Sequence, residues 1–213
     1  MQPSPADEVR KMYDETADSY AQMMDAEIGL PVYADVLGRL QRRIASIDGP
    51  VIDTACGSGH MLAMYRESYD LRRPLAGVDL SSRMVTIAGE KLGSNAQVVL
   101  GDMRDLDSFE NESCAAIMNF FALHHLDAEG AKEAFGEWYR VLAPGGQLVV
   151  ATWEGSGRID YGDETEIVAL MYSSAELASW AKSAGFDGTR CRVAPVADFP
   201  MDAVYLEAGK LAP

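Results

Sequence analysis

Val51-Ile52-Asp53-Thr54-Ala55-Cys56-Gly57-Ser58-Gly59 is the stretch on which the fold turns. An apolar run stops at a carboxylate, passes two glycines, and gives way to a helical pattern over residues 60–69, which reads as a buried strand, a tight turn and a helix. Gly57 and Gly59 let the backbone approach a ligand closely and offer N–H groups at a helix N-terminus. Taken alone, such a turn reads equally well as glycine used for tight strand–helix packing.

The same alternation continues on both sides. Downstream, a strand over residues 75–78 ends at Asp79, and Ser81 caps a helix bearing Met84, Val85, Ala88 and Leu92 before Gly93. A third strand (96–100) ends at Gly101-Asp102, and a fourth spans 115–119. Asp127 then starts a helix with Ala131, Ala134, Phe135, Trp138, Val141 and Leu142 on one face. Pro144-Gly145-Gly146 turns the chain into a fifth strand (147–153). Ser173 with Glu176 offers a capping box for a helix stopped by Gly185, and segments 190–196 and 203–207 suit a closing antiparallel pair. Upstream, residues 7–25 are polar with Val9, Met12, Tyr13, Ala17, Tyr20 and Met23 or Met24 at helical spacing, a surface helix that suits a lid or arm. Pro31 opens a second helix with Val32, Val36, Leu40, Ile44 and Ile47, ended by Gly49-Pro50. Strands alternating with helices imply an α/β fold with a mostly parallel sheet and right-handed crossovers.

Length and charge narrow the function. The 213 residues, 48% of them hydrophobic, suit one domain with a full core. Lys and Arg total 18 against 33 Asp and Glu, and the net charge of -15 disfavours nucleic acid and polyanionic substrates. The most apolar stretch, residues 114–123, is broken by Asn119 and falls short of the ~20 residues that cross a bilayer, so no membrane partner is expected. Met1-Gln2-Pro3-Ser4-Pro5-Ala6-Asp7-Glu8 lacks the basic start and apolar run of a signal peptide, and a cytoplasmic, reducing setting is expected. Cys56, Cys114 and Cys191 are widely spaced and odd in number. The three histidines include the neighbours His124 and His125, whose side chains diverge on most backbones, so neither a disulfide framework nor a zinc site is written here.

The polar residues fall where ligands sit in parallel sheets, at the carboxyl ends of the strands. Asp79 follows Gly59 by 20 residues and can accept both hydroxyls of a ribose. Asp102 can accept from an adenine amino group while the Met103 N–H reaches a ring nitrogen. Each acid singly reads as a solvated loop residue or a helix cap; three consecutive strand ends together describe one nucleoside.

In combination these pieces resemble the class I S-adenosylmethionine-dependent methyltransferases, over roughly residues 51–153. The matching stretches are residues 51–59, Gly77-Val78-Asp79-Leu80-Ser81, Gly101-Asp102-Met103, Phe121-Ala122-Leu123-His124-His125-Leu126 and Tyr139-Arg140-Val141-Leu142-Ala143-Pro144-Gly145-Gly146. Ala55 stands where the family usually has glycine, a tolerable substitute unless that residue needs positive φ. The resemblance implies a Rossmann-like three-layer sandwich with a seven-stranded sheet, a C-terminal antiparallel pair and an N-terminal helical lid. Residues 1–48 would form the lid or arm on a core of residues 49–213. It also implies that Ala55 and Gly57 hold the methionine moiety of S-adenosylmethionine, with Asp53 close by through water or the ammonium, Asp79 on the ribose, and Asp102 and Met103 on the adenine. Gly59, Leu80 and Asn119 complete the expected cofactor contacts, and Tyr20, in Ala17-Asp18-Ser19-Tyr20, would close over them. A nicotinamide dinucleotide needs G-x-G-x-x-G, and Leu62 stands at the last glycine position.

The expected reaction is metal-independent transfer of a methyl group to an O, N or C of a small molecule, leaving S-adenosylhomocysteine. Alignment alone can supply much of the rate. Where a base is needed His124 is the best placed, and the other reading gives His124 or His125 a role in ordering the loop. Tyr13, Met24, His124, Trp153 and Tyr161 are the expected acceptor contacts, each readable as ordinary packing. Asn119-Phe120-Phe121-Ala122 differs from the Asp/Asn-Pro-Pro-aromatic loop of nucleic-acid amino methyltransferases, and Asn119 with the histidines does not make a magnesium site. The alternatives are a cofactor-binding regulatory partner or a cyclase using the bound sulfonium, and, from a third class, a protein or nucleic-acid methyltransferase. A monomer or a homodimer is expected.

Overall fold

The computed structural model describes residues 2–159, 165–196 and 200–212. Two helices, α1 (Ala6–Glu27) and α2 (Pro31–Arg43), precede the first strand. The chain then alternates β1 (Val51–Asp53), α3 (His60–Ser68), β2 (Leu75–Asp79), α4 (Ser82–Leu92), β3 (Ala96–Leu100), β4 (Cys114–Phe120), α5 (Ala128–Val141) and β5 (Leu142–Trp153). It closes with α6 (Ser174–Ala184), β6 (Asp187–Pro195) and β7 (Asp202–Gly209). These seven strands form one sheet in the order β3-β2-β1-β4-β5-β7-β6. The first five are parallel, and β7 runs antiparallel to both β5 and β6. This is the expected three-layer α/β sandwich.

Alternation along the strands divides the core. Ile52 and Ile117 pack with Phe135, Trp138 and Trp180 from α5 and α6. Val51, Ala116 and Met118 pack with Val36, Leu37 and Leu40 of α2 and with Tyr65 of α3. All seven residues of β4 are buried, as expected of a strand covered on both faces. Local signals act as read. Ser81 Oγ accepts from Met84 N–H at 3.1 Å, Asp127 accepts from Gly130 N–H at 2.9 Å, and Ser173 with Glu176 closes a reciprocal capping box before Gly185.

Two boundaries differ from the sequence pattern. Helix α2 stops at Arg43, short of Gly49-Pro50, because the half-buried Arg73 guanidinium donates to the carbonyls of Ile44, Ile47 and Gly49 at 2.9–3.0 Å and satisfies that segment outside a helix. Pro144-Gly145-Gly146 lies within β5 rather than before it. There Lys210 pairs with Gly145 and Gly146 through the main chain, and the β4–β5 register shifts between Cys114 and Ala116.

One charged group ties layers together. Glu207 on β7 is 4% exposed and receives the Arg39 guanidinium of α2, with Nη2–Oε1 at 2.7 Å and Nε at 3.0 and 3.1 Å from the two oxygens. Such close pairing offsets the cost of keeping a buried carboxylate ionised.

Candidate active site

The carboxyl ends of β1, β2 and β3 meet beneath α1. Asp53 ends β1 and is 2% exposed, with Oδ1 accepting from Ala55 N–H at 3.2 Å. Asp79 ends β2, and its two oxygens accept from Gly57 N–H at 2.8 Å and Ser81 N–H at 2.9 Å. Part of the N–H set of the glycine loop is thus directed at a carboxylate of the chain itself. Burial raises both acids: Asp53 is pushed up to about 7 by burial, with the Asp79 charge adding to it, and Asp79 is raised for the same reason.

The two glycines do different work. Gly57 has φ +51°, a backbone that favours glycine, and a Cβ built there would lie 3.6 Å from the Tyr20 ring. Gly59 has φ +80° and packs against α4, where a Cβ would come within 3.2 Å of Ala88 Cβ and Leu92 Cδ1. For Gly59 the packing reading is the one the geometry supports.

Two chambers open here, sharing Tyr13, Tyr20, Phe120 and Phe121 as a common wall. The first, about 580 Å³, is lined by Ala55, Gly57, Asp79, Leu80 and Met103 among others, so it gathers much of the expected cofactor set with Tyr20. Asp53, Gly59, Asp102 and Asn119 do not line it. Asp53 lies under the loop. Asp102 is held in a fork by Arg104, with Oδ1–Nε at 3.0 Å and Oδ2–Nη2 at 2.6 Å. Burial by itself would raise the Asp102 carboxyl, but the Arg104 side chain and N–H hold it below its usual value. Asn119 is fully buried, donates from Nδ2 to Thr54 Oγ1 at 3.1 Å and to Met103 Sδ at 3.5 Å, and leaves Oδ1 without a partner among the described residues. Met103 is further anchored by Trp138 Nε1–H, which donates to its carbonyl at 3.0 Å.

The second chamber, about 780 Å³, is lined by Tyr13, Met24, His124 and Trp153 of the expected acceptor set. Tyr161 lies outside the described residues. Sequence reasoning missed Tyr33, His60, Met61 and Phe121 here, and Val9, Thr54 and Met84 in the first chamber. Phe121 carries the clearest signal: its φ of +51° is rare for a bulky residue and places its ring 4.9 Å from that of Trp153, at the end of β4. Nothing in its sequence context announces that backbone.

The adjacent histidines, expected to diverge, converge instead. In the short 3-10 turn Leu123–His125 their Nε2 atoms lie 3.1 Å apart, and Tyr13 Oη lies 3.0 Å from His125 Nε2. The rings pair because both are enclosed. Both Nδ1 atoms are buried with no partner among the described residues. Burial lowers His125 to about 4 and His124 well below its ordinary value, with His125 adding to the latter, so both stand neutral at pH 7.

Helix α1 is clasped over the site by charge. Asp14 accepts from Ser81 Oγ at 2.7 Å and Arg83 N–H at 3.2 Å, and Asp18 takes the Arg83 guanidinium at 2.6 and 3.1 Å. Ser81 thereby links the helix to Asp79, whose Oδ1 accepts its N–H. One set of carboxylates with metal-ligand spacing occurs among the described residues, Asp105, Asp107 and Glu137; it lines neither chamber, and Glu137 is paired with Arg140.

The parallel order β3-β2-β1-β4-β5 followed by an antiparallel β7 and β6, with a glycine turn after β1 and an acid ending β2, is a class I methyltransferase fold. Residues 51–146 match the family described as "Methyltransferase domain". An O-methyltransferase of Penicillium expansum is 27% identical over 168 residues, covering 70% of this chain and 59% of that protein. The crystal structure of Burkholderia thailandensis 1,6-didemethyltoxoflavin-N1-methyltransferase, with 1,6-didemethyltoxoflavin and S-adenosylhomocysteine bound, superposes with a TM-score of 0.72 at 17% identity, covering 98% and 91% of the two chains. The [4+2]-cyclase SpnF superposes with a TM-score of 0.70 at 18% identity, covering 100% and 98%. The chain spans 40%, 59% and 41% of the length of three curated relatives it matches. No helix among the described residues is long and apolar enough to cross a membrane.

Proposed function

We propose that this protein transfers the methyl group of S-adenosylmethionine to an oxygen, nitrogen or carbon of a small molecule, without a metal. One observation carries the reading: the first chamber holds the half-buried Asp79 in its wall and the buried Asp53 beneath its loop, while no Lys or Arg lines it among the described residues. That charge pattern suits a ligand bearing an ammonium and a sulfonium and repels a pyrophosphate. In this reading Asp79 holds the ribose and the main chain of Ala55 and Gly57 the methionine moiety, with Asp53 facing its ammonium. Leu80, Met103 and Asp102 flank the adenine, Tyr20 covers Gly57, and residues 1–48 serve as the lid. Gly59 and Asn119 act from behind, by packing α3 on α4 and by bracing Thr54 and Met103.

Bound S-adenosylmethionine supplies a methyl group on a sulfonium whose departure leaves a neutral thioether. The wall shared by the two chambers can hold an acceptor in line with it, and such alignment is worth effective molarities of about 10⁵ M or more. A neutral hydroxyl becomes strongly acidic once methylated, whereas a methylated amine leaves as its ammonium. His124, whose side chain lines the second chamber, is the imidazole placed to take the hydroxyl proton. Its lowered basicity suits this late transfer better than removal of a proton beforehand. The three free cysteines fit a reducing, cytoplasmic setting, and the net charge of -15 favours a small acceptor over nucleic acid.

The test is the formation of S-adenosylhomocysteine from S-adenosylmethionine with a panel of phenols and amines, followed by mass spectrometry. Acceptor-dependent product that is lost in Asp79→Ala is expected. Tight cofactor binding with no methyl transferred to any acceptor, alongside conversion of a substrate that gains no methyl, would turn the assignment to a cofactor-assisted cyclase.

A further inference from the structure

We propose that the acceptor is a neutral, planar, largely apolar molecule of aromatic type; this rests on the reading of the second chamber as the acceptor site. Besides two imidazoles, six Tyr, Phe and Trp side chains bound that chamber: Tyr13, Tyr20, Tyr33, Phe120, Phe121 and Trp153. They stand at varied angles: Phe121 and Trp153 at 4.9 Å and 50°, Tyr33 and Phe120 at 5.9 Å and 84°. Such walls offer both faces and edges to a flat guest. Met23, Met24 and Met61 fill the gaps with thioethers that adapt to its outline.

The charge of the guest follows from what the walls lack. No Asp, Glu, Lys or Arg lines this chamber among the described residues, and its two imidazoles, His60 and His124, are both held neutral by burial. A carboxylate or phosphate entering it would shed hydration with no cation to replace it. A cationic guest would gain from the aromatic faces, but it would stand across the shared wall from a cofactor that is itself positive. A neutral guest meets neither cost.

The experiment uses three probes with one ring system: 2-naphthol, 2-naphthoate and 2-naphthylmethylammonium, each titrated calorimetrically at pH 7.5 into the full chain with sinefungin present, an unreactive cofactor analogue whose amine keeps the positive charge of the sulfonium. 2-Naphthol is expected to bind at least tenfold more tightly than either charged analogue, and Trp153→Ala to weaken it at least fivefold while leaving S-adenosylhomocysteine affinity in place. Met23→Lys, at a rim position that is 44% exposed, gives a second reading that spares the core: naphthoate should gain at least threefold. A charged analogue that binds as tightly as 2-naphthol, or three silent probes in protein that binds S-adenosylhomocysteine, would overturn the proposal. Selective 2-naphthol binding by protein that ignores S-adenosylhomocysteine would overturn the transferase reading, and the acceptor role with it, while leaving the chamber's preference for a neutral aromatic guest standing.

Discussion

The affinity for S-adenosylmethionine should depend on pH through Asp53. In the free protein burial pushes this carboxyl up to about 7, so it is largely protonated below that pH. The cofactor ammonium has an ordinary pKa of about 7.7–8.0 and keeps its charge there, so binding favours the ionised carboxylate and expels its proton. The sign is therefore fixed: affinity rises as pH rises from 5.5 to 7. If Asp53 is fully ionised in the complex, the ratio of protonated to ionised free protein makes the loss from pH 7 to pH 5.5 about fifteenfold, or ~1.6 kcal/mol. At pH 6 about 0.9 proton should be released per cofactor bound. Asp79 is raised as well and acts in the same direction, so Asp53→Asn isolates the share of Asp53 by flattening the profile. Calorimetric titration in two buffers of different ionisation enthalpy reads both affinity and proton release. An affinity that changes less than about threefold across this window, with no proton released, would refute the placement of Asp53 beside the ammonium.

Other consequences concern stability. His60 and His125 are lowered to about 4 by burial and His124 is lowered too, so the stability they contribute is present above the unfolded value of ~6.5 and is lost as pH falls toward 4. His60→Gln should remove about 2 kcal/mol of the loss between pH 8 and pH 5 in urea unfolding, and parallel curves for the two proteins would contradict this. Glu207→Ala removes one of the two carboxylates that Arg39 pairs with, leaving Asp35, and should cost about 1.5–3 kcal/mol by the same assay. Trp138→Phe leaves the Met103 carbonyl without its donor and should cost about 1–3 kcal/mol while weakening cofactor binding.

Much of this was legible in the sequence because its causes are local. Strands covered on both faces read as unbroken apolar runs, and Ser81, Asp127 and the Ser173–Glu176 pair cap their helices within one turn. The acid at the end of β2 and the glycine turn after β1 were legible for the same reason. What escaped depends on distant partners. Arg73 ends α2 from 24 or more residues away, and Tyr13 meets His125 across 112 residues. The pairing of His124 with His125 follows from the enclosure of the turn and from nothing in the dipeptide itself. Asp102–Arg104 lies between these cases: a carboxylate two residues before an arginine could have been read as a fork, leaving less of Asp102 for an adenine.

Calorimetric titration of the wild type and Asp79→Ala with S-adenosylmethionine and S-adenosylhomocysteine tests the central claim most directly. Asp79 both braces the glycine loop through Gly57 N–H and faces the first chamber. The account predicts binding of both ligands by the wild type, weakened in the variant by at least about tenfold, or ~1.4 kcal/mol. No binding by folded, cofactor-stripped wild type, or equal binding by the two proteins, would contradict it.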